Sequence, residues 1–146
     1  MNEKLQAKVN EYLSNQQVMY IKLHNLHWYV KGHGFFTLHA KLEELYDQTA
    51  DIIDEVAERL LAIGGRPVGS MKRALELSTV KELSDELISS EDTVKVLISD
   101  VEYWVKDTKA LVDLAEEAGD VGTADLFNGY LSEYQKLLWM LNAYKG

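Results

Sequence analysis

Gly64-Gly65-Arg66-Pro67-Val68-Gly69-Ser70-Met71-Lys72-Arg73-Ala74-Leu75-Glu76-Leu77-Ser78-Thr79-Val80-Lys81-Glu82-Leu83 is the stretch that decides the architecture. It holds the only proline of the chain. Proline inside a helix removes a hydrogen bond and clashes with the preceding turn. The run Gly64-Gly65-Arg66-Pro67 therefore ends whatever helix precedes it. The stretch is too long for a tight turn between neighbouring helices and reads as a crossover connection. Within it, Met71 to Leu77 has the pattern of a short helix. Thr79-x-x-Glu82 carries the signature of a capped helix start.

On both sides of this connection lie long segments of helical periodicity. Before it, Leu5, Val9, Tyr12, Leu13, Met19, Leu23, Leu26 and Val30 recur at three- and four-residue steps. After a turn at Gly32 and Gly34, so do Phe35, Leu38, Leu42, Leu45, Ile52, Val56 and Leu60. Beyond the connection, a third helix is predicted from about Ser84 to Glu117, on Leu87, Val94, Leu97, Ile98, Val101, Val105, Leu111 and Leu114. A turn at Gly119 and Gly122 leads to a fourth, beginning near Thr123, with Leu126, Phe127, Tyr130, Leu131, Tyr134, Leu138, Leu141 and Tyr144. Two short-linked hairpins joined by one long crossover define an all-α chain resembling the ferritin-like version of the four-helix bundle. An up-down bundle would need no crossover. No internal repeat or low-complexity run interrupts the pattern, so residues 1–146 are expected to form a single domain.

Charge and composition narrow the function classes. The chain has 146 residues, with 15 basic and 24 acidic side chains and a net charge of −9. That balance disfavours a surface built to grip nucleic acid or anionic lipid, and it suits the collection of cations. There is no cysteine, which excludes disulfides, thiolate catalysis and Cys-ligated clusters. The opening Met-Asn-Glu-Lys has no apolar segment behind it, and no long apolar run occurs anywhere, so a cytoplasmic location without membrane contact is expected.

The chemistry-bearing residues are concentrated in the first hairpin. All four histidines, His24, His27, His33 and His39, fall within sixteen residues. His24 and His27 occupy neighbouring stripes of one helix, where hydrogen-bonded interfacial histidines are the plainer explanation. His33, in the Gly-His-Gly turn, reads as a solvated residue. On the second helix, Asp54 and Glu58 stand at i and i+4. Like charges at that spacing repel, and a cation between them reverses the sign. A solvated acidic stripe offset by Arg59 is the ordinary alternative.

A di-iron site inside one bundle draws on two Glu-x-x-His motifs. This chain has none, because Ile21, His24, Val30 and Phe36 precede the histidines by three. Nor can His39 and Asp54 share an ion within one chain: on one helix they lie about 22 Å apart along the axis, though only about 60° apart in azimuth. His27 and His39 flank the Gly32–Gly34 turn, which brings them level. One end of the hairpin thus carries two imidazoles and the other two carboxylates. A twofold axis crossing the hairpin would set one chain's imidazoles against its partner's carboxylates. The mixed nitrogen and oxygen set suits iron, and zinc also fits.

The stretches Leu23-His24-Asn25-Leu26-His27-Trp28-Tyr29-Val30-Lys31-Gly32, Phe35-Phe36-Thr37-Leu38-His39 and Asp54-Glu55-Val56-Ala57-Glu58-Arg59-Leu60 resemble the signature of the Dps mini-ferritins. Ala62-Ile63-Gly64-Gly65-Arg66-Pro67, Thr123-Ala124-Asp125-Leu126 and Leu138-Trp139-Met140 extend the likeness over nearly the whole chain. The resemblance implies a hollow homododecamer with ferroxidase sites at its twofold interfaces. There His27 and His39 of one subunit would meet Asp54 and Glu58 of its neighbour, with Glu58 bridging two irons. Where the family often has Asp four residues after the second histidine, this chain has Glu43, one methylene longer, at the second iron position. Trp28 resembles the family's tryptophan near the iron centre, with interface packing as its main expected role. Fe(II) would be oxidised with hydrogen peroxide as the favoured oxidant, or with oxygen, and the ferric product stored as mineral in the shell. Glu116, Asp120 and Asp125 match the threefold pore through which iron enters; helix-terminal acids facing water are the alternative.

The competing class is a nucleoid protein, as the family name advertises, whose main role is physical protection of DNA. Members of the family that bind DNA tightly often have a mobile basic tail. Here the helix pattern starts by about Lys4, Lys4 and Lys8 read as helix-surface charges, and Lys145-Gly146 forms no arm. Direct DNA binding is expected to be weak or absent. A plain interaction bundle, with structural histidines and acids, is the third class.

Overall fold

The computed structural model describes residues 2–146. Seven elements follow one another: α1 (Glu3–Tyr29), β1 (Val30–Lys31), α2 (Phe35–Ala62), α3 (Met71–Leu77), β2 (Ile88–Ser89), α4 (Ser90–Glu117) and α5 (Val121–Lys145). The chain divides into two compact units, one of residues 6–93 and one of residues 2–5 with 94–146.

The first unit is built on the α1–α2 hairpin. Its turn depends on backbone that L side chains avoid: Gly32 and Gly34 both have positive φ, 99° and 84°. With no side-chain cap available, α2 starts on the Gly32 and Gly34 carbonyls, which accept from Phe35 and Leu38. Leu13, Leu23 and Leu26 of α1 and Leu38, Leu42, Val56 and Leu60 of α2 are buried, as their periodicity requires. At the far end Gly65 admits no side chain, since a Cβ would lie 2.6 Å from Gln6 Oε1 and 2.9 Å from Leu60 Cδ2.

From there the crossover runs along α1 in the same direction as that helix, held by a row of α1 amides. Gln6 Oε1 accepts from the Arg66 amide, and Asn10 bonds the Arg66 carbonyl and the Val68 amide. Fully buried Asn15 takes the amides of Thr79 and Val80 on its Oδ1, at 2.6 and 3.1 Å, and Asn25 donates to the Ser84 carbonyl. The short helix expected over Met71 to Leu77 forms with those bounds, capped by Ser70. No helix starts at Thr79, however: its amide and hydroxyl are engaged by Asn15.

The third long helix also begins later than its periodicity suggests. Val30 and Lys31 pair in parallel with Ile88 and Ser89, a small ladder in an otherwise helical chain. That pairing holds residues 88–89 extended. Ser89 Oγ then accepts from the Asp92 amide, so α4 starts at Ser90 rather than near Ser84, and Leu87 lies exposed before it.

In the second unit α4 and α5 contribute Leu97, Val101, Trp104, Leu111, Phe127 and Leu141 to the interior. Trp104 stacks on Tyr134 with centroids 5.8 Å apart. The turn between them ends at Asp120, whose carboxylate accepts from both the amide and the hydroxyl of Thr123 and so caps α5.

Candidate metal centre

His27 lies in the last turn of α1 and His39 in the second turn of α2. His27 Nδ1 bonds the His39 carbonyl at 2.7 Å, and His39 Nδ1 bonds the His27 carbonyl at 2.8 Å. A carbonyl oxygen can only accept, so each Nδ1 carries a proton and donates it, which leaves Nε2 as the nitrogen able to face a metal. The rings stack at 3.7 Å with 13° between planes, and Phe35 extends the stack on the outer side of His39 at 5.0 Å. His27 is buried and His39 half-buried. The hairpin thus presents two imidazoles whose Nδ1 atoms are engaged by main-chain carbonyls, the orientation in which Nε2 can meet a metal.

A second layer of rings backs this pair. Tyr46, two turns beyond His39 on α2, meets His27 edge-on at 5.3 Å and stacks on His24 at 3.8 Å with 19° between planes. His24 Nδ1 donates to the Tyr20 carbonyl, and the Tyr20 ring packs edge-on against both His24 and Tyr46. The Tyr46 phenol is held above its ordinary range by burial, then by the charges of Glu43 and Asp47. Trp28 touches the His24 ring at 5.3 Å and is 67% exposed. His33 is exposed in the turn.

Asp54 and Glu58 lie in the last turns of α2, both exposed. Asp54, one turn before Glu58, raises the Glu58 pKa, first through hydrogen bonding and then through its charge. Two carboxylates at i and i+4 repel each other, and a cation between them reverses the sign. About 22 Å of helix separates this pair from the imidazoles. Among the described residues, no three His, Asp or Glu side chains of the single chain gather into a group that could hold a metal. Glu43, on α2 one turn after His39, is exposed beside Tyr46. In the second unit Glu116 and Asp125 are exposed, while half-buried Asp120 is occupied with capping α5.

The sequence reading singled out the two histidines and the acids but passed over Phe35, Tyr20 and Tyr46. Phe35 and Tyr46 stand four before and seven after His39, a spacing that puts all three on one stripe of α2. That spacing was the available signal.

The profile of the ferritin-like domain matches residues 6–146. General stress protein 20U of Bacillus subtilis is 46% identical over 146 residues, covering all of both chains. DNA protection during starvation protein 2 of Bacillus anthracis is 42% identical, over 99% of this chain and 98% of that relative. Among solved structures, the Dps protein of Vibrio cholerae, described as a member of a broad superfamily of ferritin-like diiron-carboxylate proteins, superposes with a TM-score of 0.92 at 36% identity, over 99% of this chain and 90% of that one. The fold is therefore the ferritin-like four-helix bundle with a crossover. Within that class, the chain belongs to the Dps family. No helix among the described residues is long and apolar enough to cross a membrane.

Proposed function

We propose that this protein is a ferroxidase and iron store that assembles as a hollow homododecamer in the cytoplasm. The observation that carries the reading is the pair of half-sites on one hairpin. Two imidazoles with their Nδ1 atoms fixed stand at one end and two carboxyl groups one turn apart at the other, each too few to hold a metal alone. A twofold-related copy supplies the missing half to each.

Fe(II) is the substrate. Nε2 of His27 and His39 and the carboxylates of the partner copy's Asp54 and Glu58 bind it, and Glu58, with two oxygens, bridges to a second position served by Glu43. The hydrogen bonds on Nδ1 hold each imidazole aimed, so the rings need not reorient when the cation arrives. Two Fe(II) ions deliver the two electrons that reduce one hydrogen peroxide to water, which avoids hydroxyl radical; oxygen is the slower alternative. Zinc suits the same donor set as a redox-silent substitute. Glu116, Asp120 and Asp125 draw iron through the threefold pore, and the ferric product mineralises inside.

This chemistry also accounts for a DNA-protecting role without contact, since it removes both reagents that damage DNA. The net charge of −9 on each of twelve copies opposes direct binding to a duplex. The test is anaerobic loading with Fe(II) followed by peroxide, reading ferric absorbance. Wild type is expected to oxidise rapidly and saturably, and Glu58→Ala to lose most of that rate. Equal rates in both would overturn the proposal.

A further inference from the structure

The side of α2 that carries the two half-sites also leaves one large apolar side chain in solvent at each end. Phe36 is 87% exposed and Leu61 61% exposed. About 37 Å of helix separates them, yet they differ by only about 20° in azimuth. Glu43 and Asp54, both exposed, lie within about 20° of Phe36 on the same stripe. The stripe therefore reads alike from either end: an apolar residue, a carboxylate, a carboxylate, an apolar residue. Phe36 with Leu61, Glu43 with Asp54, and His39 with Glu58 are all centred on one point of the helix, between Gln48 and Thr49. A twofold axis through that point would bring an antiparallel copy of α2 into register, each residue level with the other member of its pair.

Phe36 is also tied to the imidazoles. Its ring meets Phe35 edge-on at 5.5 Å, and Phe35 stacks on His39 at 5.0 Å. We propose that this stripe docks a second copy of the chain in the register centred between Gln48 and Thr49, where Phe36 packs on the partner subunit's Leu61 and closes the outer end of the shared metal site. The proposal rests on the metal-centre reading above and deepens it, by fixing which turns of the two copies face each other. Glu43, Asp47, Asp51, Asp54 and Glu58 are exposed on this side of α2 and repel their counterparts. Burial of the two apolar contacts, one beyond each site, opposes that repulsion and keeps water from the rings. Phe36 and Leu61 are positioning residues: neither is a ligand, and both hold one copy's carboxylates against the other's imidazoles.

The chain has no cysteine, so thiols can be placed where the register calls for them. The experiment treats metal-free assembled Phe36→Cys/Leu61→Cys, and each single variant, with a short bismaleimide, and reads covalent dimer under denaturing conditions. Helices in contact lie about 8–10 Å apart, within reach of the reagent, whereas the two thiols of one chain are too distant. The double variant is expected to form covalent dimer and the single variants little. Anaerobic calorimetry with Co(II) supplies the second readout. In Phe36→Ala the first binding phase, that of His27 and His39, should weaken by about tenfold, the size of effect that outer partners of metal ligands exert. Phe36→Leu should restore most of it. No covalent dimer from the double variant, or as much from the single variants, would overturn the register; saturable Co(II) binding by wild type would then leave the metal centre standing. Wild-type affinity in Phe36→Ala would overturn the closing role. Covalent dimer from the double variant, with no saturable Co(II) uptake by wild type, would uphold the register and overturn the metal-centre reading.

Discussion

His27 and His39 each donate a ring N–H to the other's main-chain carbonyl, at 2.7 and 2.8 Å, with their rings 3.7 Å apart. The clamp joins α1 to α2 and sets both tautomers at once. Replacing His27 by Ala leaves the His39 carbonyl without its donor beside a buried position, at a cost of about 1–3 kcal/mol. Urea unfolding of the metal-free protein should show that loss, and Co(II) binding should lose its first phase. His39→Ala should match it in both measurements.

Sharing of the site between copies makes a prediction about mixtures. Shells of His27→Ala/His39→Ala alone, or of Asp54→Ala/Glu58→Ala alone, should be inactive. Co-assembled from unfolded chains, a dimer of one of each has one interface site with all four ligands and one with none. Peroxide-driven iron oxidation should therefore reappear at up to half the wild-type rate per mixed dimer. No recovery after verified co-assembly would contradict sharing.

The closeness of Asp54 to Glu58 fixes the sign of a pH effect. Glu58 has a raised pKa in the folded protein, so within the window above the ordinary glutamate range the native state binds more protons than the unfolded one. Stability of the metal-free protein should fall as pH rises through that window. Saturating Zn(II) should abolish this slope, and calorimetry in buffers of different ionisation enthalpy should register proton release on binding. Glu58→Gln should flatten the metal-free profile.

Asp120 lets charge be separated from capping. Its carboxylate caps α5 through Thr123, and asparagine caps as well as aspartate. Asp120→Asn/Asp125→Asn should leave thermal stability nearly unchanged. Iron uptake should slow several-fold at low ionic strength and less at high, the signature of electrostatic steering. An unchanged uptake rate at low salt removes these acids from the path.

Asn15 supports the crossover, and nothing about metal chemistry requires it. Asn15→Ala removes the Oδ1 acceptor of the Thr79 amide and the nearer acceptor of the Val80 amide and should cost about 2 kcal/mol. Hydrogen exchange at those two amides should accelerate, while Co(II) binding is retained.

The long helices and the crossover were legible because their signals are local: apolar spacing, one proline and glycines at the turns. Both misreadings came from partners distant in sequence. Thr79 looked like a helix cap until Asn15, 64 residues earlier, took its amide. Residues 84–89 had helical spacing, yet Ile88 and Ser89 pair with Val30 and Lys31. The site divides in the same way. Residue type and spacing pointed to His27, His39, Asp54 and Glu58. The stripe of Phe35, His39 and Tyr46 was legible in the spacing of α2, but the clamp and the contacts of Tyr46 with His24 and His27 depend on the register between two helices.

The crossover's course along α1 also orders events during folding. Its anchoring bonds close loops of 56 to 65 residues, from Asn10–Arg66 to Asn15–Val80, whereas the histidine clamp spans only 12. Closing the shorter loop costs less chain entropy and comes sooner. The two imidazoles are thus set while the rest of the chain is still searching, and the crossover is laid down afterwards on a hairpin already in register.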